Sequence, residues 1–67
     1  MNNYYFTFGI GQRILKNYYV KVIANFEDEA RAIMFESFGD KWCWCYSEKQ
    51  WNDEKMAETY NYKELKY

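Results

Sequence analysis

The sequence predicts a small α+β domain: one antiparallel sheet, a single amphipathic helix packed on one face, a short second helix, and a fourth edge strand in the tail. Three observations predict it. Residues 4–8 and 18–24 are rich in aromatic and branched side chains at strand spacing. Residues 26–38 repeat their apolar positions at three- and four-residue intervals, between a start signal and a glycine. Residues 42–46 alternate again, as Trp-Cys-Trp-Cys-Tyr. The order strand, strand, helix, strand (ββαβ) suits one sheet with a helix on it. Sixty-seven residues make one domain, residues 1–67.

Each element has a local reason. In the first strand Tyr4, Phe6 and Phe8 share one face, and Tyr5 and Thr7 the other. Gly9 and Gly11 interrupt the pattern and open a loop over residues 9–17, long for a hairpin and carrying three aliphatics. Its Gly-x-Gly reads as a turn, because a dinucleotide fingerprint needs a third glycine and a helix opening just after it. In the second strand Tyr18, Val20, Val22 and Ala24 form one face. Tyr19, Lys21 and Ile23 form the other, and Lys21 assigns that face to water. Asn25 then reads as a helix N-cap. Glu27, Asp28 and Glu29 complement the helix dipole, and Gly39 reads as a left-handed C-cap. Ala30, Ile33, Met34, Ser37 and Phe38 make the inward stripe, with Phe35 at its edge.

The third strand offers two apolar sets, Trp42, Trp44 and Tyr46 against Cys43 and Cys45. Both look buriable, which predicts a central place in the sheet. Ser47 and Gln50 form a capping-box signature before a second helix over residues 48–59, thin in apolar residues: Trp51, Met56, Ala57 and Tyr60. Residues 61–67 alternate imperfectly, as an edge strand whose lysines discourage further pairing.

Composition narrows function. Eight Tyr, five Phe and three Trp make up 24% of the chain. A chain this short buries only about 60% of its unfolded surface, so its core is small and some rings must line the surface. Exposed Tyr and Trp are enriched at protein interfaces. There is no histidine, which removes the commonest general base and metal ligand. Cys43 and Cys45 read as reduced core thiols of a cytoplasmic protein, with no further Cys or His to complete a zinc site, so neither metal nor cofactor is expected. Glu54 and Glu58, one helical turn apart and next to Asp53, read as a solvated face rather than a catalytic pair. A chain of this size also hardly encloses a substrate cavity of about 300 Å³. The expectation is therefore not an enzyme.

Net charge is −1, split unevenly. Residues 1–25 carry Arg13, Lys16 and Lys21 and no acid, while the remainder carries six basic and ten acidic residues. That polarity is too mild for a nucleic-acid footprint. Tyr4, Tyr18, Tyr19 and Trp44 could still stack single-stranded bases, which keeps a nucleic-acid module as an alternative. No long apolar run suggests a membrane span.

Three segments carry a resemblance. Tyr4-Tyr5-Phe6-Thr7-Phe8-Gly9, Phe26-Glu27-Asp28-Glu29-Ala30-Arg31 and Met34-Phe35-Glu36-Ser37-Phe38-Gly39-Asp40-Lys41-Trp42 resemble a group of small uncharacterised accessory proteins from phages and prophages of Gram-positive bacteria, across roughly residues 4–51. The resemblance implies inhibitors of host defences, of anti-CRISPR or similar type, that bind a protein stoichiometrically. The contact residues expected are Tyr5, Tyr19, Phe35 and Trp51, joined by Arg13 and Lys16 from the loop. A homodimer using the same rings is the other alternative.

Overall fold

The computed structural model describes residues 1–9 and 11–66; the readings at Ile10 and Tyr67 lie outside the described residues. The chain forms a four-stranded sheet crossed on both faces by helices. Its elements are β1 (Asn2–Phe8), β2 (Tyr18–Ala24), α1 (Glu27–Phe38), β3 (Trp42–Ser47), α2 (Glu48–Asp53), α3 (Met56–Thr59) and β4 (Lys63–Glu64). The sheet order is β3-β1-β2-β4. The α+β class holds. The fourth strand does sit at an edge, but it runs parallel to β2, so the sheet is mixed rather than wholly antiparallel.

The topology follows from strand directions. β2 and β3 are each antiparallel to β1, so they are parallel to one another. Reaching β3 from β2 therefore requires a crossover, which α1 supplies. Reaching β4 from β3 requires a second crossover in the reverse direction, which α2 and α3 supply. Crossovers of one hand that travel in opposite directions must lie on opposite faces. They do: Ala30 and Met34 of α1 pack with Phe6, Phe8, Val20, Val22 and Ala24. Trp51 of α2 and Met56 of α3 pack with Tyr5 on the other side.

β1, not β3, is the central strand. Six of its residues pair with β2 and five with β3, and it is covered on both faces. Trp42–Ser47 forms an edge, half-buried or exposed along its length. The expectation failed because a bulge breaks the alternation. Thr7 faces Trp44, but Phe8 faces Trp42, so Cys43 is an extra residue. The bulge turns Trp42 to the α1 side with Cys45, while Tyr46 points to the α2 side.

Helix α1 begins one residue later than the sequence suggests. Phe26 occupies the N-cap position with no side-chain cap, and its carbonyl accepts the first helical bond, from the Ala30 N–H at 3.2 Å. Asn25 serves the strand ends instead. Its carbonyl accepts from the Asn2 side chain at 2.9 Å, and its N–H donates to Glu29 Oε1 at 3.1 Å. The expected stripe is correct at Ala30 and Met34, which are buried, and at Ile33 and Phe38, which are half-buried; Ser37 faces solvent. Gly39 ends the helix at φ +62°, with its N–H on the Phe35 carbonyl. Its ψ of −129° lies outside the left-handed helical well, so the turn uses a conformation that only glycine adopts readily.

The second helix is two helices. Ser47 Oγ accepts from the Gln50 N–H at 3.2 Å, as the capping signature predicts. The helix then breaks at Lys55, whose φ of 49° is left-handed. The break has a packing cause. Trp51 and Met56 are five residues apart, about 140° around a continuous helix. Both are buried against the sheet, so the chain must be re-phased between them.

Candidate functional site

The aromatic surplus divides into rings that build the structure and rings that face outward. The first group fills the α2 side of the sheet. Tyr5 and Trp51 stack face to face at 4.8 Å between centroids and within 1° of parallel. Tyr19, Tyr46 and Tyr62 surround the Trp51 indole at 4.9, 5.6 and 5.9 Å. Alternation along β1 and β2 sends Tyr5 and Tyr19 to this face, and the second crossover carries Trp51 onto them. Burial is the main cause that pushes the hydroxyls of Tyr5, Tyr19, Tyr46 and Tyr62 above the ordinary tyrosine value. At Tyr5 the Glu48 carboxylate adds to the rise.

The expected contact residues separate accordingly. Tyr5 is 9% exposed and Trp51 5% exposed, so neither offers its ring to a partner; they hold α2 on the sheet. Tyr19 is half-buried beside them. Phe35 stands 66% exposed on the outer side of α1. Arg13 and Lys16 are exposed in the loop. Sequence reasoning found a ring surplus but could not tell which rings the second crossover would cover. The outward rings it did not expect at a protein contact are Phe26, Trp44 and Tyr60. The bulge in β3 is the reason for Trp44, since it decides which face each tryptophan takes.

Residues 11–17 of the loop are more ordered than a hairpin connection. Bonds from Leu15 N–H and Lys16 N–H to the Gln12 carbonyl close a helical turn, and Gln12 N–H donates to the Gly9 carbonyl. Leu15 packs against the α1-side core and pins the turn. The turn presents Arg13, Lys16 and Ile14, the last 84% exposed. A mainly apolar groove of about 490 Å³ lies along Gly11–Leu15, with Lys41 on its far wall. The C-terminal end of α1, carrying Phe35, lies at this same end of the sheet, because Lys41 follows it directly. Among the described residues Arg13, Lys16 and Lys41 make no ion pair.

Other sequence candidates are dispersed. Of the rings considered for bases, Tyr4 packs against the α1-side core and Tyr19 against Trp51 on the other face, Tyr18 is half-buried beside a surface groove, and Trp44 is exposed, so they form no single platform. Glu54 and Glu58 fall on either side of the Lys55 break, both exposed, and Asp53 is paired with Lys49 at 2.6 Å. Cys43 is exposed and Cys45 half-buried, where burial pushes the Cys45 thiol up to about 11. Among the described residues no group of three or more His, Cys, Asp or Glu side chains is placed to hold a metal. No helix there is long and apolar enough to cross a membrane. Trp42 meets Phe6 edge-on at 5.1 Å and lies under the Arg31 guanidinium at 5.4 Å, but its buried Nε1–H has no partner among the described residues.

The fold and surface define a small α+β protein with an internal ring cluster and separate exposed rings. Comparison of the chain with protein-family models, curated proteins and solved structures finds no match.

Proposed function

We propose that this protein is a non-enzymatic blocker, a phage-type accessory protein that binds a bacterial defence or host protein stoichiometrically in the host cytoplasm. The observation that carries the reading is the loop end of the molecule. There Phe35, exposed Ile14 and the cations Arg13, Lys16 and Lys41 share one end of the sheet. An aromatic anchor with apolar neighbours and a charged rim is the composition of an interface hot spot. The resemblance to small phage accessory proteins supplies the class of partner. Phe35, Arg13 and Lys16 touch the partner, while Tyr5, Tyr19 and Trp51 hold α2 on the opposite face of the sheet.

The test is plaque formation by a targeted phage on a Gram-positive host carrying one defence system at a time, CRISPR–Cas systems included. The chain supplied in trans should restore plaques against at least one system. The purified target should then form a complex with the chain at a fixed ratio. No restoration across the panel, or restoration by catalytic amounts without a complex, contradicts the reading.

A further inference from the structure

The two edges of the sheet are built differently. β4 is two residues long and carries Lys63 and Glu64, with Lys66 close behind. Charged, short edges resist pairing with another chain. β3 is six residues long and carries no charge: Trp42, Cys43, Trp44, Cys45, Tyr46 and Ser47. Its inner side pairs with β1, and its outer side is the end of the sheet. A row of unpaired backbone N–H and C=O groups accepts one kind of occupant, an extended strand.

We propose that this occupant is a second copy of the chain. Two copies pair β3 against β3 in antiparallel fashion about a two-fold axis at Cys45, extending the sheet from four strands to eight. A two-fold interface must be complementary to itself. About Cys45 the strand is symmetric in residue type: Trp44 and Tyr46 flank it as aromatics, and Cys43 and Ser47 follow as small polarisable or polar groups. The pairing sets Trp44 against the partner copy's Tyr46, twice. Trp44 is 57% exposed and already 6.5 Å from its own Tyr46, so the ring cluster continues across the axis. Aromatic cross-strand pairs are among the favourable ones.

The bulge narrows the register. Residues directly opposite in an antiparallel pair point to the same face. An axis at Trp44 would set Trp42, on the α1 side, opposite Tyr46, on the α2 side, and is excluded. The charges agree with an axis at Cys45. Glu27 and Arg31 lie beside Cys45 in a groove of about 340 Å³ along this edge. Arg31 sits over Trp42, and Glu27 is one helical turn away toward the other end of the strand. Glu27 accepts from Arg31 Nε at 2.8 Å within one chain, and the two-fold sets two such pairs head to tail, so that each Glu27 also faces the other copy's Arg31. The association needs no third protein and stands apart from the blocking role.

Sedimentation equilibrium from about 10 µM to 1 mM tests it, with the expected dissociation constant inside that range because the paired segment is short. The mass should rise toward twice that of one chain. Trp44→Lys should keep the protein monomeric with an unchanged circular dichroism spectrum, and Phe35→Lys should leave the dimer intact. In the unmutated chain, amide exchange of residues 44–46 should slow as concentration rises, which requires no variant to fold. A monomer at 1 mM overturns the proposal. So does a dimer that survives Trp44→Lys, or one whose exchange protection falls elsewhere.

Discussion

The two faces of the sheet solve the same problem in different ways. On the α1 side aliphatic and aromatic groups share the work: Phe6, Val20, Val22, Ala24, Ala30 and Met34 have no exposed surface, and the rings of Phe8, Phe38 and Trp42 pack with them. On the α2 side the covering helices have six and four residues and few apolar groups. Large rings do the covering there, with Trp51 at the centre of four tyrosines and Tyr19, Tyr46 and Tyr62 only half-buried. A long helix lets a small protein spread a dry core over many side chains. Without one, it needs fewer and larger side chains, and each carries more of the load.

That contrast predicts where the protein is fragile. Trp51→Ala should be the most damaging substitution, costing about 3–5 kcal/mol, because one side chain anchors the whole second crossover. Met34→Ala should cost about 2–5 kcal/mol on the other face. Against a total stability of about 5–15 kcal/mol, either change brings the domain close to unfolding. Urea denaturation of both variants compares the two faces directly. A loss below about 1 kcal/mol for Trp51→Ala would mean that the ring face is not a core at all.

Gly39→Ala should cost about 1–3 kcal/mol through backbone strain at φ +62°, although open space surrounds the site. The substitution loosens the α1 side without touching either core, so its effect should appear equally in probes of both faces.

The faces should also part company in base. Tyr5, Tyr19, Tyr46 and Tyr62 belong to the ring face, and their hydroxyls are raised by burial. A raised folded value means that the unfolded chain releases these protons first. Their neutral form supports the fold fully below about pH 10, and that support is lost as pH climbs through the folded values. Stability measured in urea at stepped pH should therefore begin to decline at about pH 9, where the half-buried Cys45 thiol contributes, and fall more steeply above about pH 10 as the tyrosines join. The rise of tyrosinate absorbance should lag behind that of free tyrosine and coincide with loss of the Trp51 environment. The smallest effect belongs to Trp42→Phe. It removes the buried Nε1–H that lacks a partner among the described residues, a defect worth about 1–3 kcal/mol, while keeping a ring against Phe6. The lost contact area offsets that gain, so the net change in urea denaturation should fall near zero.

Much of the fold was legible because it is written in short-range patterns. β2 has the bounds its branched and aromatic run indicates, and α1 differs by one residue at its start. Ser47 caps α2 as its spacing suggests. What escaped was long-range. The bulge at Cys43 depends on pairing with Phe8, and no local property of Trp-Cys-Trp-Cys-Tyr announces it. The edge position of β3 depends on which side of β1 it joins. The break at Lys55 exists because Trp51 and Met56 must both reach the sheet. For the same reason Tyr5 and Trp51, read as contact residues, are interior, while Trp44 and Tyr60 are not. The candidate surface was legible at Phe35, Arg13 and Lys16, where exposure follows from helix phase and loop position alone.

The division between interior and outward rings is tested most directly in one variant, Phe26→Ser with Phe35→Ser and Tyr60→Ser. Its urea midpoint and its restoration of phage plaques are measured beside those of the unmutated chain. The account predicts a midpoint nearly unchanged, since all three rings are exposed, and a loss of plaque restoration. Full restoration by the variant, or a collapse of its stability comparable to that of Trp51→Ala, would contradict it.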